Sequence, residues 1–189
     1  MKVRLMIVGV AVVAVCLAVQ TQGQGSPKVT LKDAKGNVVG TAVLTAAPGT
    51  GVQIALDITK LPPGEHGMHI HQNAKCEPAG PAVAGAPPPT DFSSAGPHFN
   101  PGAKKHGTLN PDGPHAGDMN NFIVDADGKA KKIVTDARVS MGTDANSIFS
   151  NGGTALVIHA AADDMKTDPS GNSGARIACG VIAKAGAIK

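Results

Sequence analysis

From residue 52 to residue 58 the chain alternates. Val52, Ile54, Leu56 and Ile58 fall on one side, and Gln53, Ala55 and Asp57 on the other. Successive side chains of a strand point to opposite faces, so this period of two predicts a β-strand with one wet face. Val38–Ala46 (VVGTAVLTA) is rich in β-branched residues and flanked by turn formers, and predicts a second strand. Lys131–Arg138, Thr154–His159 and Arg176–Ala183 are further strand candidates. Asp33-Ala34-Lys35-Gly36 and Asp125-Ala126-Asp127-Gly128 read as tight turns between strands. No stretch of the mature chain sustains a helical period with caps. The pattern predicts an all-β fold of short antiparallel strands, a barrel or sandwich, in one domain spanning residues 25–189.

Two stretches break the pattern. Residues 72–114 hold most of the 14 prolines, including Pro87-Pro88-Pro89. Irregular segments of this length inside a domain are functional or disordered. This one has little apolar content, so burial is not expected to order it, whereas ligation of a metal would. Residues 160–175 form the second stretch, with Asp163, Asp164, Lys166 and Asp168 among small residues.

Residues 1–24 follow another logic. Lys2 and Arg4 precede an uncharged apolar run from Leu5 to Val19, and small polar residues follow. This predicts a cleaved export signal and a periplasmic or extracellular protein. Cys16 would leave with the signal, so Cys76 and Cys179 remain of three cysteines. An exported chain with two cysteines invites one disulfide. The formal charge of +3 falls to about +1 once Lys2 and Arg4 are removed. That is too little for a nucleic-acid footprint. Four Phe and no Trp or Tyr also argue against a base-stacking surface.

The histidines carry the chemistry. His69 and His71 sit at i and i+2, so a strand would present both imidazoles on one face. An H-x-H pair alone equally describes two solvated strand histidines. His98, His106, His115 and Asp118 follow in or just after the proline-rich stretch. Three imidazoles and a carboxylate make the closed N/O set that structural zinc favours. His159 ends the apolar strand Ala155–Ile158.

Taken together, the motifs G-x-H-G-M-H-I-H, G-P-H-F-N-P, K-H-G, H-A-G-D, V-I-H and G-N-S-G-A-R-I-A-C-G-V-I resemble the copper/zinc superoxide dismutases of exported bacterial type. The resemblance runs from about Lys28 to Ile182. It implies a Greek-key β-barrel of about eight antiparallel strands with two long functional loops. It also implies one copper and one zinc ion per subunit. The activity implied is conversion of two superoxide radicals and two protons to oxygen and hydrogen peroxide, copper cycling between oxidation states beside a structural zinc.

By the same resemblance His69, His71, His98 and His159 match the copper ligands, and His98, His106, His115 and Asp118 the zinc ligands. His98 is thus the shared imidazolate and a proton carrier. Asp163 matches the carboxylate that orients one ligand of each metal, and His66 a non-ligand histidine that braces the barrel. Arg176 matches the arginine that receives the anionic substrate. Cys76 and Cys179 match the intrasubunit disulfide. The implied partner is superoxide itself, with no nucleic acid and no membrane partner beyond export; a homodimer is compatible with the family. Met68 and Met119 replace larger or branched apolar residues as gap-fillers. Pro81–Pro89 is an insertion without assigned chemistry.

Two other readings compete. One is an exported copper or zinc buffer that keeps the fold and lacks dismutation, which the match of Arg176 and of the shared His98 disfavours. The other is a zinc hydrolase, but H-E-x-x-H is absent: Glu65-His66-Gly67-Met68-His69 has the letters in another order.

Overall fold

The computed structural model describes residues 26–82 and 88–184. The expected export signal, with Cys16, lies outside the described residues, as does the middle of the Pro81–Pro89 insertion.

Among the described residues nine strands follow in chain order: β1 (Lys28–Lys32), β2 (Val38–Ala46), β3 (Val52–Ile58), β4 (Gly64–His66), β5 (Met68–His71), β6 (Phe122–Val124), β7 (Ala130–Asp136), β8 (Thr154–His159) and β9 (Arg176–Ile182). Seven form one antiparallel sheet in the order β5-β8-β9-β1-β2-β3-β7, and β4 pairs with β6. Among the described residues the only helical pieces are single 3-10 turns at Ser93–Ala95 and Ser150–Gly152. Both expected turns close as read: Gly36 N–H donates to Asp33 O and Gly128 N–H to Asp125 O, each at 2.9 Å.

One strand more than expected appears because Gly64–His71 is split at Gly67. There the backbone leaves the ladder to serve a loop: Gly67 N–H donates to Ala161 O, and Gly67 O accepts from His159 N–H. At its far end β7 stops at Asp136, short of the expected Arg138, because the Asp136 carboxylate takes the Arg138 N–H at 3.0 Å.

The inward positions of both sheets meet in one apolar core that includes Leu31, Leu44, Ile54, Ile70, Phe122 and Leu156. Met68 and Met119 fill it as expected. The period of two decides which side chains are left over. In β5, Met68 and Ile70 enter this core, so His69 and His71 stand on the opposite face. In β8, Leu156 and Ile158 face the core, and Ala155 and Val157 face outward with His159 beyond them. All six residues of β8 are nonetheless buried.

The proline-rich stretch covers that outer face. The expectation that it lacks apolar anchors is corrected here. Phe92 and Ala95 pack on Ala155, Val157 and Cys179, and Phe99 enters the main core. These few apolar residues suffice because the backbone adds its own ties: Phe99 N–H donates to Ile70 O at 2.8 Å and Gln72 N–H to Pro97 O at 3.0 Å.

Cys76 and Cys179 are joined in a disulfide across 103 positions of sequence, fixing the start of the loop to β9. Closure of so long a loop is worth about 4–5 kcal/mol in the chain-entropy model. Cys179→Ser is therefore expected to lower the melting temperature by on the order of 10 °C. Thermal melts of both proteins under oxidising conditions check this, and equal midpoints would count against a stabilising role for the bond.

Candidate metal centre

Four ring nitrogens converge on the outer face of β5 and β8. His69 Nδ1, His71 Nε2, His98 Nε2 and His159 Nε2 are buried and have no hydrogen-bond partner among the described residues. In each ring the other nitrogen is committed. His69 Nε2–H donates to Asp163 Oδ2 at 2.7 Å. His71 Nδ1–H donates to Gly96 O at 2.8 Å, and His159 Nδ1 faces Gly174 O at 3.3 Å. Those acceptors fix the tautomers and leave a bare lone pair on the inward nitrogen of each ring. Four unpartnered lone pairs repel one another and are costly to bury, unless a cation takes them.

His98 belongs to a second cluster as well. Its Nδ1 lies 2.9 Å from Asp118 Oδ1, and the Nδ1 atoms of His106 and His115 lie 3.1 Å from the same oxygen. Ligands about 2.0–2.1 Å from a tetrahedral zinc stand roughly 3.3 Å apart, so this crowding is close to that of a coordination sphere. Within each cluster the ligand atoms lie within 4.8 Å of one another. The structure thus gathers every histidine expected at a metal, and Asp118, into two buried clusters sharing one imidazole.

Asp163 joins the two. Its Oδ2 takes the His69 proton, and its Oδ1 lies 3.0 Å from His106 Nε2. Gly171 makes room for it: a Cβ there would sit 1.6 Å from Asp163 Oδ1, and φ is +62°. His66 lies beneath, with its ring nitrogens 2.7 Å from His159 O and 2.9 Å from Pro62 O. It makes no approach to either cluster through its ring and ties strand ends together.

One side of the first cluster is open. A cavity of about 670 Å³ is lined by Pro97, His98, His115, His159, Gly174 and Arg176. The Arg176 guanidinium is held by Phe92 O at 2.6 Å and Gly96 O at 2.7 Å. Partial burial lowers its pKa, yet with two carbonyls accepting from it and an ordinary value so far above neutrality, it keeps its charge.

The matching family model is that of copper/zinc superoxide dismutase, over residues 38–182. The chain belongs to the copper/zinc superoxide dismutase family. It is 47% identical over 150 residues to "Superoxide dismutase [Cu-Zn] 1" of Aquifex aeolicus, covering 78% of this chain and 82% of that one. Among solved structures, the Cu/Zn superoxide dismutase from Brucella abortus matches with a TM-score of 0.67 at 33% identity, covering 83% of this chain and 99% of the other. A mutant of a superoxide dismutase-like protein from Bacillus subtilis matches with a TM-score of 0.73 at 37% identity, over 82% of this chain and 97% of that chain.

Several contributors to this superoxide dismutase-family site carry no readable sequence signal. Asn121 exchanges two hydrogen bonds with the Asp163 backbone, at 2.9 and 3.0 Å. Asp168 takes the His106 N–H at 2.6 Å and lies 3.2 Å from Lys105 Nζ. Arg138 reaches the Asp118 carbonyl.

The protonation pattern of the metal-free cluster gives a prediction. Burial lowers His98 to about 4 and His159 to about 3, and it lowers His69 and His71 as well. Burial opposes charge on His106 too, but its bonds to Asp118 and Asp163 outweigh that and raise it to about 9. Groups with depressed values add no cost above pH ~6.5, where the unfolded imidazole is neutral. Below that the unfolded chain binds protons that the folded chain refuses, so stability falls as pH drops toward 3–4. His106 has the opposite sign: its contribution is full below pH ~6.5 and is lost as pH rises through 9. Four groups outweigh one, so chelator-treated protein should melt lower at pH 5 than at pH 7.5. A flat or inverted dependence would contradict the burial of neutral imidazoles.

Proposed function

We propose that the chain is an exported superoxide dismutase that uses one copper and one zinc ion per subunit. The observation that carries this is the set of four buried imidazole nitrogens with bare lone pairs beside a cavity that an arginine enters. An all-nitrogen set with one open side suits copper, and a closed set of three imidazoles and a carboxylate suits zinc. On this reading His69, His71, His98 and His159 hold copper, and His98, His106, His115 and Asp118 hold zinc. Copper, when bound, supplies the one-electron couple that disproportionation of superoxide requires, which zinc cannot.

The chain's own residues do the rest. Arg176 offers a fixed positive fork at the cavity wall and draws in a small anion. His71 and Arg176 share the Gly96 carbonyl, which sets the receptor beside the imidazoles. His98 keeps Nδ1 on the Asp118 cluster, so its ring does not turn when Nε2 takes a proton from solvent or hands one to the reduced substrate. Asp163 holds the His69 and His106 rings in the orientation that ligation needs. Export is supported by the charged and apolar pattern of residues 1–24 and by the disulfide, which belongs to an oxidising compartment.

The test is metal analysis of the purified mature protein with a superoxide dismutation assay. One copper and one zinc per chain with dismutation at a rate that falls on copper removal is the expected result. Binding of metal without dismutation would overturn the enzyme reading in favour of a metal buffer.

A further inference from the structure

Behind the Asp118 cluster lies a pair of charges that neither the apolar core nor the redox chemistry requires. Asp136 ends β7 and is 1% exposed. Its Oδ1 takes the Arg138 N–H at 3.0 Å and lies 3.1 Å from Arg138 Nη2. The same Nη2 donates to the main-chain carbonyl of Asp118. Asp136 Oδ2 and Arg138 Nε are buried with no hydrogen-bond partner among the described residues.

Such a pair is a poor device for stability. Asp136 is fully buried while the Arg138 side chain is 36% exposed; desolvation of the carboxylate offsets much of the attraction, and two atoms lack partners among the described residues. Burial raises Asp136 to about 6, the sign of a carboxylate held where its charge is costly. What the pair does achieve is positional. The segment carrying Asp118 lies outside the named strands, bridged to His69 on one side and bonded through Gly117 to Ile70 and Phe99. The Asp118 carboxylate is occupied by three imidazoles and by the N–H groups of Gly107 and His115. Its carbonyl is left to Arg138, which is the tie between this residue and the wall formed by β3 and β7.

We infer that Arg138, oriented by Asp136, is a positioning residue for the His98–His106–His115–Asp118 cluster: by holding the Asp118 carbonyl it sets the direction in which the carboxylate presents Oδ1 to a metal. The inference rests on the reading that this cluster binds zinc. Asp118 reaches its place by two routes, one through ligands that come from loops and one through an arginine rooted in the barrel. Both are present without a metal, and the second draws on no ligand side chain. The pair therefore preorganises the zinc site.

The experiment compares wild type with Arg138→Met, which keeps length without a donor, and with Arg138→Lys, which keeps one cationic donor. Arg138→Gln, neutral and polar, guards against misfolding of the methionine variant and should lose zinc to a similar degree. Metal-free proteins are titrated with Co(II), whose absorption bands report tetrahedral geometry, and zinc release is then followed with a chromophoric chelator. The methionine variant should lose zinc affinity by roughly 10- to 100-fold, the usual cost of removing an outer partner. Its Co(II) bands should shift and the lysine variant should recover part of the affinity, while the metal-free methionine variant melts lower because the Asp136 carboxylate is left buried and unpaired. A wild-type protein without tetrahedral Co(II) bands would overturn the zinc reading and the inference with it. Tetrahedral bands in wild type, with band positions and zinc release unchanged in both neutral variants, would overturn the inference alone.

Discussion

Replacing His98 with alanine is expected to cost both metals at once. One ring supplies Nδ1 to the cluster around Asp118 and Nε2 to the cluster on β5 and β8. No neighbouring side chain can take its place: His69, His71, His106, His115 and His159 each already offer one nitrogen to a cluster. The substitution also opens a gap between the two clusters, where His98 stacks on His69 with ring centroids 4.0 Å apart. Loss of a ligand should exceed the roughly 10- to 100-fold that loss of an outer partner costs, and here it strikes twice. Dismutation should fall by at least about 100-fold, with copper and zinc contents both reduced. Retention of both metals with full activity would refute the shared-ring assignment.

Asp163→Ala should be the next most damaging change, although Asp163 is assigned to neither cluster as a ligand. Its two oxygens take protons from His69 and His106, one ring from each cluster. Removing them leaves two buried N–H groups unpaired and frees both rings to turn. Hydrogen bonds from those rings and from the Met165 N–H hold the Asp163 carboxyl well below the usual carboxylate range despite its burial. The carboxylate is therefore ionised and a strong acceptor throughout the working pH range. Copper and zinc affinities should each drop roughly 10- to 100-fold, measured by equilibrium dialysis. Asp163→Asn keeps one acceptor and turns an NH₂ toward the other ring, so it should spare one site more than the other. A loss confined to a single metal in Asp163→Ala would show that this residue does not couple the sites.

The parts of this fold that were legible are those with a local period. Val52–Ile58 was readable because burial on one face imposes alternation, and Thr154–His159 because a short apolar run rich in branched residues suits a strand buried on both faces; the structure places strands at those bounds. The juxtaposition of His69 and His71 follows from the same period. What long loops contribute was not legible. Asp163, Asp164 and Asp168 look alike in sequence. Yet only Asp163 is buried, and a loop has no period to say which of its residues turns inward. The family resemblance, not spacing, singled out Asp163 and Arg176. Phe92 and Phe99 order a loop that composition alone made seem short of anchors, because two well-placed rings count for more than an average. The Asp136–Arg138 pair was invisible for another reason: an Asp-x-Arg at the end of a strand is ordinary surface sequence until the chain brings Asp118 against it.

The carbonyl of Gly96 has one further consequence. It accepts from His71 and from Arg176, and Arg176 opens the strand that also carries Cys179. The loop that supplies this oxygen begins at the other half of the disulfide. A single peptide group thus acts as the common hinge pin of the imidazole set and the anion receptor. A displacement of the loop would therefore disturb the orientation of His71 and of Arg176 at once.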